Sequence, residues 1–180
     1  MSAEDETETS IASTTYRFGP GHPPRVKVGR DDEVDADVFE IIGNGLLTRS
    51  IHFESRKWGR FEWRYAGKRE RGTIAVVEGR ETKLNNLLVL EKVVKGENGK
   101  EERAKVAQMV RSEGTRTPGT KESYAGNGGR LEMCLRDQEG RELLDEVSVV
   151  VTVLVMLKKE IDRLRATQIA IMSATAGGGS

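Results

Sequence analysis

Residues of the kinds that build metal centres, disulfide frameworks and catalytic triads are scarce in this sequence. Its 180 residues include one cysteine, Cys134, and two histidines, His22 and His52. One cysteine cannot form an internal disulfide or a cysteine-rich zinc site, and His52 has no second ligand at metal-binding spacing. Cys134 lies in an apolar stretch with no base beside it in the sequence, so we expect an inert thiol. We therefore predict no metal, no cofactor, no catalytic residue and no enzyme activity.

An excess of charge of either sign is missing as well. The chain has 29 basic and 29 acidic residues, a net charge of zero, which does not favour nucleic acid as a partner. Trp58, Phe61, Trp63 and Tyr65 could stack bases beside neighbouring arginines. The alternation of Phe61, Trp63 and Tyr65 with charged residues predicts instead that these three belong to the core. No apolar stretch follows Met1, so we expect no secretory signal and an intracellular location, cytoplasmic or peripheral to a membrane.

No apolar run in the sequence is long enough to cross a membrane. The longest, residues 147–157 (VSVVVTVLVML), has nine large apolar residues among eleven and ends at Lys158 and Lys159. A transmembrane helix needs about 20 such residues, so we predict no transmembrane span.

This apolar run is predicted to be a helix. A buried strand is the rival, because valine favours strands and fully buried strands read as continuous apolar runs. Ile161 and Leu164 continue the apolar pattern at helical spacing, however, and no glycine or proline interrupts the chain there. We therefore predict one helix over about residues 145–172, with Asp145 as its N-cap.

A helix that is apolar on every side must be surrounded. Eleven helical residues span about 16 Å, close to the length of a strand of five or six residues. The preceding chain has eight or nine short apolar segments separated by turns, the clearest being residues 61–65. The predicted fold is mainly β with one long C-terminal helix (α+β), an antiparallel β-barrel closed around a central apolar helix.

The predicted domain organisation is simple. Residues 1–15 are acidic and nearly free of apolar side chains, which is typical of a disordered tail. Residues 16–172 form the barrel domain, and residues 173–180 form a flexible tail. Residues 112–130 are polar and rich in glycine, and we expect a long exposed loop that is functional, mobile or partly paired.

Two segments carry a resemblance to a known family. They are residues 145–165 (DEVSVVVTVLVMLKKEIDRLR) and 57–71 (KWGRFEWRYAGKRER). This pairing resembles the tubby C-terminal-like superfamily, which includes the phospholipid scramblases and the LURP-one-related proteins, and is most similar to fungal tubby-like proteins. The resemblance implies a barrel around a helix and association with lipid. The chain lacks the cysteine-rich palmitoylation segment and the added membrane helix of the scramblases.

The candidate lipid-binding residues form one basic cluster with two acids within sixteen residues. They are Arg56, Lys57, Arg60, Arg64, Lys68, Arg69 and Arg71. Each base near an anionic membrane contributes about 1 kcal/mol of attraction, although a solvated strand face that deters edge pairing would have the same composition. The leading hypothesis is a non-enzymatic module that binds anionic phospholipid head groups at a membrane surface. The alternative is a protein–protein interaction domain that uses the 112–130 loop or the C-terminal end of the helix, from Asp162 to Met172.

Overall fold

The computed structural model describes residues 10–17, 22–30, 32–44, 48–71, 75–77, 80–82, 84–96, 98–112, 115, 118 and 128–176. Strands come first in the chain, and a long helix ends it. The strands are β1 (Ala12–Thr15), β2 (Arg25–Val28), β3 (Asp37–Glu40), β4 (Ile42–Gly43), β5 (Ile51–Ser55), β6 (Gly59–Tyr65), β7 (Ala75–Val77), β8 (Arg80–Thr82), β9 (Leu84–Lys95), β10 (Glu101–Ser112) and β11 (Arg130–Met133). The helices are the short α1 (Lys68–Arg71) and the long α2 (Glu146–Ala176).

The strands form antiparallel sheets. A three-stranded sheet has the order β1-β2-β3, a six-stranded sheet has the order β11-β10-β9-β6-β5-β4, and β7 and β8 form a hairpin. The chain passes from the first sheet to the second at the buried Ile41, which separates β3 from β4. The two larger sheets are therefore joined by one bent stretch of chain, and aromatic rings pack across the bend. Phe39 stacks on Phe53 at 4.8 Å, and Phe53 stacks on Phe61 at 5.3 Å between ring centroids.

The predicted C-terminal helix is confirmed, and it continues to Ala176. Asp145 caps its first turn, because one carboxylate oxygen accepts the Ser148 backbone N–H at 2.8 Å and the other accepts the Ser148 hydroxyl at 2.7 Å. One turn on, the Thr152 hydroxyl donates to the Ser148 carbonyl at 2.7 Å and accepts the Trp63 indole N–H at 3.0 Å. These bonds satisfy polar groups that lie inside the core.

The prediction of a barrel closed around this helix is wrong. In the part of the chain that the structure describes, both larger sheets are open: the edge strands are β1 and β3 in one sheet and β11 and β4 in the other, and no edge strand of one sheet pairs with an edge strand of the other. Helix α2 shares one core with both sheets, yet Leu154 is 57% exposed and Val150 is 38% exposed. The apolar segment 147–157 is not covered on all sides, because an apolar helix can leave part of its surface exposed. The polar Ser148 and Thr152 occupy buried positions instead, and two apolar side chains face solvent.

Several local predictions can be compared with the described residues. The alternation in residues 61–65 is confirmed as part of β6, with Phe61 and Trp63 fully buried. Residues 12–15, inside the predicted N-terminal tail, form β1. Residues 1–9 and 177–180 of the two predicted tails lie outside the described residues, as does most of the 112–130 loop. No helix among the described residues is long and apolar enough to cross a membrane.

Candidate functional site

The predicted basic cluster is divided between the two ends of β6. Arg56 and Lys57 lie in the turn before this strand, whereas Lys68 and Arg69 lie in α1 after it. The seven residues of β6 place about 20 Å between these groups. The bases at the two ends of the cluster are therefore separated along the sheet, with Arg60 and Arg64 in β6 between them.

Arg64, in the middle of the cluster, is held in ion pairs. Its guanidinium donates to Glu91 at 2.9 and 2.5 Å and to Glu70 at 2.7 and 3.0 Å. These hydrogen bonds from Arg64 lower the pKa of Glu91 and of Glu70 and raise the pKa of Arg64 itself. The positive charge of Arg64 is thus compensated within the protein.

Other members of the cluster have different surroundings. Lys57 lies over the Trp58 ring, 4.4 Å from its centroid. Arg60 is exposed and contributes to lowering the pKa of His52, for which burial is the larger cause. Among the described residues, the buried Nε of Arg71 has no hydrogen-bond partner.

Arg56 lines an open groove that sequence reasoning did not identify. The groove has a volume of about 450 Å³, and its walls come from β2, β3 and the turn before β6. It is lined by Arg25, Val38, Phe39, Glu40 and Arg56. We call this groove, lined by these five residues, the Arg25–Arg56 groove. No sequence signal links the two arginines, because each is placed against β3 by the fold: Arg25 is opposite Glu40 in the pairing of β2 with β3, and Arg56 is hydrogen-bonded to Asp37 and Ala36.

The position of Arg56 in the groove is fixed by hydrogen bonds. Its backbone N–H donates to the Asp37 carboxylate at 3.2 Å, and its guanidinium donates to the Ala36 carbonyl at 2.9 Å. Glu40 forms an ion pair with Arg17, so the acid that lines the groove is compensated by a third arginine. The lining of the groove therefore combines two arginines with the apolar Val38 and Phe39 and with an acid that is already paired.

A second set of charges links four strands on the outer face of the six-stranded sheet. Glu62 and Glu91 are direct cross-strand neighbours in β6 and β9. Arg103, from β10, reaches Glu62 at 3.0 Å and Glu91 at 3.2 Å. The Asn44 side-chain amide donates to Glu62 at 2.9 Å and contacts the ring of His52 in β5. Both carboxylates form ion pairs with Arg103, an arrangement that suits cross-linking of strands better than proton transfer.

A polar cluster also lies where β6 meets α2. The buried Glu160 accepts from Arg49 at 3.1 Å and from Arg163 at 3.2 Å. Arg49 also lies over the Tyr65 ring, 4.9 Å from its centroid. Burial, together with the nearby charge of Glu160, raises the pKa of Tyr65 to about 12. Tyr65 is therefore protonated at neutral pH, and the cluster fixes α2 to the sheet.

The side of α2 that faces away from the sheets is rich in large apolar residues. Leu154 and Val150 are exposed along the packed part of the helix, and Ile161 is half-buried. Beyond Leu164, side chains are exposed through to residue 174, and Ile169 is 62% and Met172 64% exposed. At 3.6 residues per turn these positions fall within an arc of about 100°. We call this surface, formed by Val150, Leu154, Ile161, Ile169 and Met172, the α2 face.

The α2 face was only partly anticipated, since its packed portion was expected to be enclosed. A sequence signal for its exposure exists. Lys158 and Arg165 follow Leu154 at one and three turns along the same side of the helix. Charged residues at that spacing mark the side that faces water.

Comparison with protein-family models, with curated proteins and with solved structures found no match to this chain. The resemblance to the tubby C-terminal-like superfamily therefore stays a prediction. The geometry of the described residues carries the functional argument.

Cys134 and the 112–130 loop are the remaining sequence candidates. Cys134 is exposed, and its thiol contacts the Arg136 carbonyl at 3.5 Å. No group of three or more His, Cys, Asp or Glu side chains among these residues could hold a metal ion. Of the predicted 112–130 loop, Thr115 is described, and its hydroxyl accepts the Ser112 backbone N–H at 2.8 Å.

Proposed function

We propose that this protein is an interaction module and that it binds another protein through the α2 face. The observation that supports the proposal is the exposure of Leu154 and Val150 beside a well-packed core, continued by Ile169 and Met172 where the helix leaves the sheets. Single exposed apolar residues are ordinary on a protein surface, whereas several within one arc of a helix favour an interaction site, here with Lys158 and Arg165 among them.

Covering the α2 face contributes part of the free energy of a specific complex. Full burial of one large aliphatic side chain contributes about 1.5–3 kcal/mol, and each of the five residues gains less than this because it is already partly covered. A dissociation constant of about 1 μM corresponds to about 8 kcal/mol, and association itself has a cost, so a partner must also contact residues around the α2 face. Helices that dock in this way use anchors spaced three, four and seven residues apart. Leu154 and Ile161 are seven residues apart, and Ile169 and Met172 are three apart.

The experiment compares proteins captured from a cell extract by four forms of the tagged chain. They are the wild type, Leu154→Lys, Ala170→Lys and a form lacking residues 113–127. Ala170 is exposed on the opposite side of α2, so Ala170→Lys is a matched control for the added charge. We expect Leu154→Lys to lose the specific partner and the other two forms to retain it. If Leu154→Lys still captures the partner and the loop deletion does not, the binding site is in the 112–130 loop.

A second proposal is that the protein binds an anionic phospholipid head group in the Arg25–Arg56 groove. It is supported by two arginines in one groove, one of them fixed by hydrogen bonds to Asp37 and Ala36. Anionic membranes attract each such base with about 1 kcal/mol. The groove includes Arg56, a member of the predicted basic cluster, and Arg25, which that cluster did not contain.

Sedimentation with vesicles tests this second proposal. Vesicles that contain about a tenth phosphoinositide, at low salt, are compared with neutral vesicles. We expect binding to fall in the double variant Arg25→Gln with Arg56→Gln and to persist in the charge-matched control Lys68→Gln with Arg69→Gln. Equal loss in both variants would indicate diffuse attraction, and absence of sedimentation by the wild type would remove lipid binding.

A further inference from the structure

Helix α2 contains a seven-residue repeat of the kind that pairs helices. Two series of positions, each with a spacing of seven, run from its first turn to its projecting end. The first series is Val147, Leu154, Ile161 and Gln168, and the second is Val150, Leu157, Leu164 and Ile171. Seven of these eight residues are large and apolar. Such a pattern sustained over four heptads is typical of a coiled-coil seam.

The structure leaves most of this seam accessible. Leu157 is the one member of the eight that is buried in the core, while Leu154 and Ile171 are 57% and 59% exposed. A repeat of 7 residues drifts slowly around a helix of 3.6 residues per turn. The seam therefore begins beside the sheets and is exposed on both sides once α2 passes Leu164.

We propose that the partner of the α2 face is a second copy of this chain, and that the two α2 helices pair in parallel with Gln168 facing Gln168. This inference rests on the proposed function, because it names the occupant of the same face. The paired length from residue 147 to residue 175 is about 42 Å.

The single polar member of the seam favours a second copy over an apolar groove. An amide both donates and accepts hydrogen bonds, so Gln168 of one copy can satisfy Gln168 of the other. An apolar groove would bury the same amide without a partner. One polar residue in an otherwise apolar seam also fixes the register and the number of helices.

The charges on the α2 face favour the parallel arrangement. An antiparallel pair that crosses at Ile161 would place Gln168 opposite Leu154 and bring Lys158 close to Arg165 of the other copy. Like charges at that distance repel, and the amide would again lie against an aliphatic side chain. The parallel pair avoids both contacts.

The sheets leave the outer side of α2, which carries the first series, available for this pairing. Thr152 and Met156, which are fully or almost fully buried, lie about 160° from Leu154 around the helix. Val153, Leu157 and Glu160 are buried on the flank of the second series, so up to Leu164 the contact is made mainly by the first series. In the dimer each α2 is therefore covered by its own sheets on one side and by the second helix on the other.

Sedimentation equilibrium of the full chain over a roughly hundredfold concentration range tests the pairing. We expect the wild type to approach twice the mass of one chain. Leu154→Lys is expected to weaken dimerisation at least about tenfold, and the control Ala170→Lys, on the opposite side of α2, to leave it unchanged. A wild type that stays monomeric at every concentration overturns the inference.

Disulfide trapping tests the parallel register. In a Cys134→Ser background, the variant Gln168→Cys is expected to form a covalent dimer on mild oxidation, whereas Ala166→Cys is not. A mixed dimer between Leu154→Cys and Gln168→Cys, in place of the symmetric one, would show antiparallel pairing and overturn the inference.

The same variants separate failure of this inference from failure of the proposed function. If the wild type is monomeric but Leu154→Lys no longer captures a different protein, the second-copy inference is wrong and the proposed function stands. If the wild type is dimeric and Leu154→Lys has the same mass, the α2 face is not the interface and both are wrong.

Discussion

At the scale of single residues, the hydrogen bond between Trp63 and Thr152 joins the six-stranded sheet to α2. Both side chains are fully buried, and the Thr152 hydroxyl is the acceptor for the indole N–H at 3.0 Å. The same hydroxyl is anchored on the Ser148 carbonyl. A polar residue inside an apolar segment is thus explained by its partner on β6, and no sequence pattern identifies that partner.

Replacing Thr152 by valine keeps the shape of the side chain and removes this acceptor. The Trp63 N–H then stays buried without a partner, and we expect Thr152→Val to lower the free energy of unfolding by about 1–3 kcal/mol. Urea denaturation measures the loss. Thr167→Val, at an exposed position of the same helix, is the control and is expected to change stability by less than about 0.5 kcal/mol. Equal effects of the two substitutions would contradict the account.

Arg64 should make stability depend on pH. It holds the pKa of Glu91 and of Glu70 below the ordinary value of a glutamate. A lowered folded-state pKa stabilises the fold above the unfolded-state pKa, about 4.3, and this stabilisation disappears as the pH falls through the folded-state pKa. We expect Arg64→Gln to cost about 1–3 kcal/mol at pH 7, and the difference from the wild type to narrow between pH 5 and pH 3.

Unfolding in urea at several pH values measures this difference. Lys158→Gln, which removes one partner of the exposed ion pair with Asp162, is the control and should cost less than about 1 kcal/mol at every pH. A gap between wild type and Arg64→Gln that stays constant down to pH 3 would show that the carboxylates do not depend on Arg64.

At the scale of elements, the boundaries of α2 follow from local chemistry. Asp145 was predicted as the N-cap from its position before the apolar run, and both of its carboxylate oxygens bond Ser148. The alternation of aromatic and charged residues likewise predicted β6, and Phe61 and Trp63 are in the core. Both signals depend on residues that are close together in the sequence, so they can be recognised without the structure.

Removing the cap should destabilise the fold. Asp145→Ala deprives the first turn of α2 of an acceptor, and we expect a loss of about 0.5–2 kcal/mol in the free energy of unfolding. Asp145→Asn retains an oxygen acceptor and should recover most of it. Thermal and urea unfolding provide the measurement. A loss in Asp145→Asn as large as that in Asp145→Ala would indicate that the charge of Asp145, rather than its hydrogen bond, stabilises the helix.

At the scale of the whole molecule, the arrangement of elements was harder to predict. A mainly β fold with one C-terminal helix could be inferred from the order of apolar segments. Closure of the sheets could not be inferred in this way, because it depends on whether strands that are distant in the sequence, such as β1 and β11, pair with each other. The same limit applies to the sites. Arg25 is placed beside β3 by strand pairing and Arg56 by hydrogen bonds to Asp37 and Ala36. Glu62 and Glu91 are brought together by the pairing of β6 with β9.

The exposed side of α2 illustrates this limit most clearly. Leu154 and Val155 are adjacent and equally apolar in character, yet Leu154 is 57% exposed and Val155 is fully buried. Only the direction from which the sheets approach the helix distinguishes them. The proposed binding function depends on that difference, because an enclosed helix would have no face to offer a partner.

The most direct test is therefore to place a lysine at each of these two positions and compare the stabilities by urea unfolding at low protein concentration. We predict that Leu154→Lys changes the free energy of unfolding by less than about 1 kcal/mol, while Val155→Lys loses more than about 3 kcal/mol or fails to fold, because it buries an unpaired charge. A loss in Leu154→Lys as large as that in Val155→Lys would show that the helix is enclosed on all sides, and it would contradict both the open architecture and the α2 face.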